Sequence, residues 1–114
     1  MVIIDSYRFG EIIINGQPYQ RDVKILGETI IPNWWRKEGH YLRLIDLPEL
    51  NAQPEAVVIG TGKYGRLEVA PEVMKHLKRL QLPFFVAITE EAVKQFNELA
   101  RQGKRVLGAF HLTC

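Results

Sequence analysis

The second half of the chain alternates between short apolar runs and segments with a helical pattern. Residues 56–62, AVVIGTG, form an apolar run that ends in a glycine-flanked turn, which is typical of a buried strand leading into a loop. A helix opened by Pro71 follows, and after it come an apolar strand at 84–88, a second helix and a last strand at 105–112. This order predicts a βαβαβ arrangement.

Both predicted helices carry an apolar stripe on one face, as expected for helices that pack one side against a sheet. In the first helix the stripe consists of Val73, Met74, Leu77 and Leu80. In the second it consists of Ala92, Val93, Phe96 and Leu99. Thr89 is predicted as the N-cap of the second helix and Gly103 as its end. The strands at 57–59 and 84–88 are continuously apolar, which predicts that both are covered on two faces.

The first half of the chain predicts an antiparallel β-ribbon. Residues 3–7 and 11–14 are short β-type runs, and the second run ends in Asn15-Gly16, a strong hairpin signal. A partner strand is expected to begin near Gln17. Further along, Val23, Ile25 and Ile30 alternate with polar residues, as the residues of a half-buried strand do. The N-terminal part is therefore expected to form a ribbon of two or three strands.

The pattern is weaker between Pro32 and Pro54. It contains a short apolar segment at 41–45, followed by Asp46, which is interpreted as the cap of a short helix before Pro54. Together these elements predict a single α/β domain spanning residues 1–114. We expect three layers around a central mixed sheet, with a βαβαβ C-terminal half and an added N-terminal antiparallel β-ribbon.

Composition and charge narrow the classes of function. Hydrophobic residues make up 46% of the 114 residues and charged residues 25%, and no apolar run approaches the ~20 residues needed to cross a bilayer. No basic segment precedes the first apolar residues, so neither a signal peptide nor a transit peptide is expected. A single cysteine, Cys114, agrees with a reducing compartment. The cytoplasm is the expected location, and membranes are not expected partners.

The charged residues do not form the pattern of a dedicated nucleic-acid-binding protein. The net charge is +2, from 15 basic and 13 acidic residues, and no dense basic stripe is present. The richest basic segment, residues 63–79, is typical of a solvated loop and helix surface. Nucleic acid is therefore not an expected partner.

The turn Gly60-Thr61-Gly62 is one candidate site, because open α/β sheets bind ligands at the carboxyl ends of their strands. The motif lacks the third glycine of a dinucleotide fingerprint and the Gly-Lys-Ser/Thr ending of a P-loop. Two interpretations therefore stay open. It is either a structural turn or an anion site formed by backbone amides together with Lys63 and Arg66.

The segment from Asn33 to His40, NWWRKEGH, is the other candidate site. Two adjacent tryptophans in an irregular polar segment cannot easily face one core, so we expect Trp34 or Trp35 to lie near the surface. Tryptophan and arginine anchor many protein interfaces, and the pairing with Arg36 also suits planar or anionic ligands. The alternative is that one tryptophan caps the core and the other covers a sheet edge.

The histidines do not predict a metal site. His40, His76 and His111 lack the spacing that presents several ligands to one ion. His111 and Cys114 are three residues apart, which on a strand directs their side chains to opposite faces. A nucleophilic cysteine–histidine pair is therefore not favoured, and no metal, cofactor or catalytic residue is predicted.

The C-terminal third carries a family resemblance, in TEEAVK at 89–94, FN at 96–97, QGKRV at 102–106 and GAFHLTC at 108–114. Residues 7–10, Trp35-Arg36 with His40, and the glycine turn at 60–62 extend the resemblance to the full length of the chain. The sequence resembles a family of small single-domain proteins that includes the adipogenesis-associated cytoplasmic protein of animals and the mitochondrial complex I assembly factor. The resemblance implies a three-layer α/β domain with a mixed sheet and an added ribbon, and no defined reaction. This chain has Phe96 where the family often has tyrosine.

The sequence therefore predicts a non-enzymatic interaction or assembly factor with an unidentified protein partner. The alternative hypothesis is a binding protein or enzyme for a small anionic ligand. Its cleft would be formed by Gly60, Thr61 and Gly62 together with Trp35, Arg36 and His40. An exposed ribbon edge also admits self-association.

Overall fold

Ten strands, two α-helices and two 3₁₀ helices form the structure, and the computed structural model describes residues 1–114. The strands are β1 (Ile4–Arg8), β2 (Glu11–Ile14), β3 (Gln17–Tyr19), β4 (Val23–Leu26), β5 (Thr29–Ile31), β6 (Tyr41–Leu42), β7 (Ala56–Thr61), β8 (Glu68–Val69), β9 (Phe84–Ala87) and β10 (Val106–His111). The helices are α1 (Pro71–Arg79), α2 (Thr89–Arg101) and 3₁₀ helices at Leu44–Asp46 and Pro48–Ala52. No helix is long and apolar enough to cross a membrane.

The central sheet has five strands in the order β5-β4-β10-β7-β9. β10 runs parallel to β7 and antiparallel to β4, and β7 runs parallel to β9. The helix α1 connects the neighbours β7 and β9, and α2 carries the chain back from β9 to β10, on the other side of β7. This arrangement confirms the predicted mixed sheet with a βαβαβ C-terminal half.

The three-stranded ribbon β1-β2-β3 confirms the predicted antiparallel hairpin. Asn15 and Gly16 at its turn both have positive φ, 49° and 81°, as a two-residue hairpin turn requires. The strand predicted from Val23, Ile25 and Ile30 does not extend this ribbon. It is divided into β4 and β5, and it joins the central sheet because β4 pairs with β10.

The chain forms three layers because the strands of the central sheet alternate their side chains between two cores. In β7, Val58 packs with the ribbon and α2, whereas Val57 and Ile59 pack on the opposite face with α1. The side chains of β10 alternate in the same way, with Phe110 on the ribbon side and Ala109 on the α1 side. Both strands are buried along their whole length.

The strand at Phe84 differs from the prediction that it is covered on two faces. β9 lies at the sheet edge, and Phe85 and Ile88 are 37% and 40% exposed. Leu80, predicted to belong to the apolar stripe of α1, is 45% exposed beyond the helix end. A run of apolar residues thus marked an edge strand, because sequence alone does not show how many neighbours a strand has.

Two predicted caps are also wrong. Thr89 is the first residue of α2, and Ile88 occupies the N-cap position without a side-chain hydrogen bond to the helix. Asp46 does not cap the second 3₁₀ helix, because it ends the first one and its carboxylate accepts a hydrogen bond from the Arg43 N–H at 2.9 Å. In both cases the side chain binds a group outside the predicted helix turn.

Candidate functional site

Asp22 lies at the centre of a buried polar cluster where β4 begins and β10 ends. Its Oδ2 is 2.7 Å from His111 Nδ1 and 2.8 Å from Arg36 Nη1, and its Oδ1 accepts a hydrogen bond of 2.8 Å from the Leu112 N–H. The Asp22 carbonyl accepts another, of 2.7 Å, from the backbone N–H of Trp34. One residue therefore connects the C-terminal strand to the segment that contains both tryptophans.

Arg36 is only 7% exposed, and its guanidinium connects three elements. Besides the ion pair with Asp22, Nη2 and Nε donate to the Gly39 carbonyl at 2.6 and 3.1 Å. The guanidinium also lies over the Trp34 ring, 4.6 Å from its centroid, in cation–π geometry. Arg36 thus contacts the Asp22 carboxylate, the Gly39 carbonyl and the Trp34 ring.

The short contact to Asp22 assigns the tautomer of His111. Nδ1 lies 2.7 Å from a carboxylate oxygen and 3.1 Å from Arg36 Nη2, and since arginine is only a donor, the carboxylate is the partner that fits an Nδ1–H. Nε2 then lies 3.4 Å from Thr113 Oγ1, and the His40 ring meets the His111 ring edge-on at 5.5 Å. The imidazole is held in one orientation by its neighbours.

The charges of this cluster shift two pKa values. Burial alone raises the pKa of Asp22, but the hydrogen bonds from His111, the Leu112 N–H and Arg36 together lower it below its ordinary value. Tyr7 donates to the Leu112 carbonyl at 2.8 Å. Burial, followed by the negative charge of Asp22, raises the pKa of Tyr7 to about 12.

The two tryptophans have opposite environments. Trp34 is 8% exposed and packs in the α1-side core, with Lys24 Nζ 5.5 Å from its ring centroid. Lys24 is itself buried and forms an ion pair of 2.8 Å with Glu49. Trp35 is 80% exposed. The backbone between them therefore turns one ring into the core and the other into solvent.

A polar cleft of about 820 Å³ opens above the cluster. Arg21, Trp35, Lys37 and Thr113 line it, and Asp22 and Arg36 form part of its wall. Arg21 and Lys37 are exposed and take part in no ion pair within the chain. The accessible surface of this cleft is thus basic and includes one large aromatic ring.

The turn Gly60-Thr61-Gly62 lies at the end of β7, and protein groups fill its surroundings. The Gly62 N–H donates to Thr89 Oγ1 at 2.8 Å, and the Lys63 N–H donates to the Thr113 carbonyl at 2.7 Å. A Cβ on Gly62 would stand 2.4 Å from the Cys114 backbone, so the glycine provides room for the C-terminal tail. The amides considered for an anion thus bind the chain itself.

The structure brings together only part of the predicted site. Trp34, Trp35 and Arg36 border the cleft, and the ring of exposed His40 meets the His111 ring edge-on. Asp22 and His111, on which the cluster depends, were missed as site residues. The only sequence signal for His111 was its position at the end of a buried apolar strand, where an ionisable side chain needs a partner.

The contacts of the cluster mainly connect separate segments of the chain. A histidine oriented by an aspartate can act as a base at Nε2, and Thr113 Oγ1 is its nearest hydroxyl. However, the neighbouring N–H groups of Leu112, Lys63 and Arg66 all donate to protein acceptors, so none of them can stabilise an oxyanion. No three metal-ligating side chains lie together.

Comparison with known proteins gives the same fold and the family. The solved structure described as MT938 has a TM-score of 0.83 and 29% sequence identity, and the match covers all of both chains. The conserved hypothetical protein PH1505 from Pyrococcus horikoshii OT3 has a TM-score of 0.81 and 28% identity, covering 97% of this chain and 98% of that one. A Bordetella pertussis protein described as a Mth938-like domain shares the fold at a TM-score of 0.66 and 18% identity, covering 96% of this chain and 85% of that one.

A family model described as "Protein of unknown function (DUF498/DUF598)" matches residues 4–111, nearly the whole chain. This match and the structural neighbours confirm the resemblance of the sequence to a small single-domain family. The chain belongs to the DUF498/DUF598 family of proteins of unknown function.

Proposed function

We propose that this protein is a non-enzymatic interaction or assembly factor of the cytoplasm that binds its protein partner through Trp35. The observation that carries the proposal is the 80% exposure of this side chain on a segment that is otherwise anchored. Tryptophan offers a large apolar surface, and a partner that covers it removes this surface from water, which favours binding. Exposed tryptophan is also prominent among residues that dominate binding energies.

The residues on both sides of Trp35 hold it in place. Trp34 is buried, and its backbone N–H donates to the Asp22 carbonyl, while Arg36 is buried in its ion pair with Asp22. The backbone at position 35 is therefore fixed, and the exposed ring has only its own two side-chain torsions to lose on binding. A preorganised aromatic side chain costs little conformational entropy when a partner covers it.

The surroundings of the ring indicate the chemistry of the partner. Arg21 and Lys37 lie in the cleft beside Trp35 and have no acidic partner in the chain. A partner segment with Asp or Glu next to an apolar side chain fits this surface. Such charge complementarity also speeds association and suppresses wrong partners.

The test compares three variants of exposed residues. Trp35→Ala removes the ring, Lys37→Glu reverses a charge of the cleft, and Tyr64→Ala is a control in which another exposed aromatic ring is removed. The partner is captured by affinity purification with the wild-type protein, and its Kd is measured for each variant. Trp34 is left unchanged because it belongs to the core.

We expect Trp35→Ala to raise the Kd by about 30-fold or more, as loss of a hot-spot residue of about 2 kcal/mol does. Lys37→Glu should also weaken binding, and Tyr64→Ala should leave it unchanged. A folded Trp35→Ala variant that retains every partner of the wild type at equal Kd would disprove this function.

The second candidate function is binding of a small anionic ligand, and the basic lining of the cleft supports it. The cleft of about 820 Å³ is large enough for a metabolite, and Arg21 and Lys37 could bind a phosphate or carboxylate while Trp35 stacks on a planar group. This location differs from the glycine turn considered from sequence, because the amides of that turn bind protein groups.

A thermal-shift screen with nucleotides, phosphates and central metabolites tests this candidate. A ligand selective for the native state raises Tm, and the shift should disappear in Lys37→Ser while the Tm without ligand stays the same. The variant Arg36→Ala is unsuitable, since it leaves Asp22 without its ion pair. A flat screen argues against the small ligand and leaves the protein partner as the proposed occupant.

A further inference from the structure

A second cavity, of about 350 Å³, lies at the opposite end of β4 and β10 from the polar cluster. It opens beside Gly27, which follows β4, and Val106, which begins β10, next to the C-terminal end of α2. Pockets that bind small molecules have volumes of about 300–1,000 Å³. The cavity is therefore large enough for a small organic molecule.

The floor of this cavity is apolar. Val2, Phe96 and Val106 line it, and all three belong to the core on the ribbon side of the central sheet. Ala100 of α2 is also part of the lining and is half-buried. These four residues form the apolar floor. An apolar group placed on it continues the packing of the core, and the removal of that group from water favours binding.

The rim of the cavity is basic. It is formed by Arg101, Lys104 and Arg105, and none of them takes part in an ion pair within the chain. Glu28 is the one acidic residue of the lining. The three cations of this basic rim therefore leave an excess of positive charge around the opening.

The end of α2 does not need these cations as caps. Basic side chains often bind the free carbonyls at the C-terminus of a helix. Here the carbonyls of residues 98–100 accept hydrogen bonds from the backbone N–H groups of residues 102–104. The exposed side chains of Arg101 and Lys104 are therefore free to bind an anion.

Arg105 is held in place at the rim. Its Nη1 donates to the Ala52 carbonyl at 2.6 Å, and its backbone N–H donates to the Glu55 carboxylate at 2.8 Å. Gly27 leaves room for its side chain, since a Cβ there would stand 3.3 Å from Arg105 Cγ. One cation of the rim thus has a fixed position before a ligand arrives, which lowers the entropic cost of binding.

We propose that this cavity binds a small carboxylate that carries an aliphatic chain. The chain lies on the apolar floor, and the carboxylate binds Arg101 and Lys104 at the rim through charge-assisted hydrogen bonds. Both parts of the ligand are required, because each matches one part of the lining. This site goes beyond the proposed function, since it shares no residue with the Trp35 cleft.

The first experiment titrates the protein with hexanoate and follows the amide signals by NMR. We expect saturable shifts at Val2, Gly103 and Val106, with a Kd below about 1 mM. Hexanol lacks the charge and acetate lacks the chain, so each should bind at least about tenfold more weakly. The indole signal of Trp35 should not move, and Lys37→Ser should leave the Kd for hexanoate unchanged, because both residues belong to the other cleft.

Two double variants test the rim. Arg101→Glu combined with Lys104→Glu should raise the Kd for hexanoate by about tenfold or more, since both cations that bind the carboxylate are reversed. Lys75→Glu combined with Lys78→Glu is the matched control. It changes the net charge by the same amount at two exposed residues of α1 and should leave the Kd unchanged.

Ala100→Leu tests the floor. The larger side chain fills part of the cavity and should abolish hexanoate binding while both rim cations stay in place. Glu98→Leu, at an exposed position of the same helix outside the lining, is the control and should retain binding. Far-UV circular dichroism and Tm show that each variant is folded.

No saturable shift with hexanoate at about 10 mM would overturn the proposal, as would equal Kd values for hexanoate and hexanol. An equal rise of the Kd in the two double variants would reduce the rim to a general effect of charge and would also overturn it. Shifts at Trp35 that disappear in Lys37→Ser, with none at Val106, would place the carboxylate in the Trp35 cleft instead. Loss of the protein partner in Trp35→Ala, with hexanoate binding intact, keeps this site distinct from the proposed function.

Discussion

Asp22 binds four other residues of the polar cluster, three through its side chain and one through its backbone. Its carboxylate binds His111, Arg36 and the Leu112 N–H, and its carbonyl binds the Trp34 N–H. A buried carboxylate is costly unless it is fully paired, and here the pairing is complete enough to lower its pKa. Asp22 therefore holds Arg36, which also forms part of the cleft wall, through an ion pair.

Asp22→Asn should lower the free energy of unfolding at pH 7 by about 3 kcal/mol, because Arg36 loses its buried counter-charge. Urea denaturation across pH measures the effect. The pKa of Asp22 is lower in the folded protein than its ordinary value of 3.8, so its contribution is present above that pH and is lost as the pH falls through the folded value. The difference in the free energy of unfolding between wild type and Asp22→Asn should therefore become smaller at acid pH. A constant difference from pH 7 to pH 2 would contradict this role.

Tyr7 should lose its contribution to stability at alkaline pH, whereas Asp22 loses its contribution in acid. Its pKa is raised from 10.0 to about 12, so its contribution to stability is complete below pH 10 and is lost as the pH rises to about 12. An absorbance titration of tyrosinate should show one group that ionises near pH 12, and Tyr7→Phe should remove that step. The variant should also lose about 1 kcal/mol at pH 7, with its hydrogen bond to Leu112. An unchanged titration curve in the variant would refute the assignment.

At the scale of elements, Thr89 connects three parts of the fold. Its hydroxyl accepts from the Gly62 N–H at the end of β7 and donates to the His111 carbonyl at the end of β10, at 2.8 and 2.6 Å. Gly60 makes room for it, since a Cβ there would stand 2.8 Å from Thr89 Oγ1. The start of α2 is thereby fixed against two neighbouring strands.

Thr89→Val should destabilise the protein by about 1–3 kcal/mol, because it keeps the shape of the side chain but leaves two buried backbone groups without partners. Thr89→Ser retains the hydroxyl and is the matched control, with a smaller loss. Thermal unfolding of the wild type, Thr89→Ser and Thr89→Val should give Tm values that fall in this order. Equal Tm values for Thr89→Val and wild type would show that the hydroxyl does not connect these elements.

Gly62→Ala should have a large effect on the same junction. Gly62 has a φ of 102°, and a Cβ there would overlap the backbone of Cys114, so both strain and collision oppose alanine. We expect a loss of about 2–4 kcal/mol and release of the C-terminal tail, which proteolysis by carboxypeptidase detects. Gly39→Ala is the control, since nothing lies within 4 Å of its Cβ position. Equal stability of the two variants would contradict the packing.

At the scale of the whole molecule, β10 holds the two cores together. It is the middle strand of the central sheet, pairs with β4 and β7, and is buried on both faces. The polar cluster lies at its end, so His111 takes its position from the most enclosed element of the fold. The edges β5 and β9 have one neighbour each within the chain.

The rates of amide hydrogen exchange should be lowest in the central strand and higher at the sheet edges. The amides of β10 should exchange by global unfolding alone, and those of β5 should exchange faster, through local opening. Exchange measured by NMR gives the rate of each amide and compares the two strands directly. Fast exchange throughout β10 would contradict its central position.

Several elements could be predicted because their signals are local. The Asn15-Gly16 turn, the apolar run of β7 and the amphipathic stripe of α2 depend on residues a few positions apart, and the structure confirms all three. The family resemblance could also be found in the order of residues alone. The roles of Asp46 and Thr89 could not be predicted from the helix pattern. The Asp46 carboxylate binds the Arg43 N–H and the Thr89 hydroxyl binds the Gly62 N–H, and the pattern reveals neither partner.

The sequence by itself thus determined most of the elements, the class of fold and the family. Tertiary structure decided which strands are neighbours, which tryptophan is buried and where the polar cluster lies. Asp22 meets His111 across 89 positions of the chain, and Arg36 meets His111 across 75. Such contacts depend on the order of strands in the sheet, whereas periodicity records only which face of its own element each residue occupies.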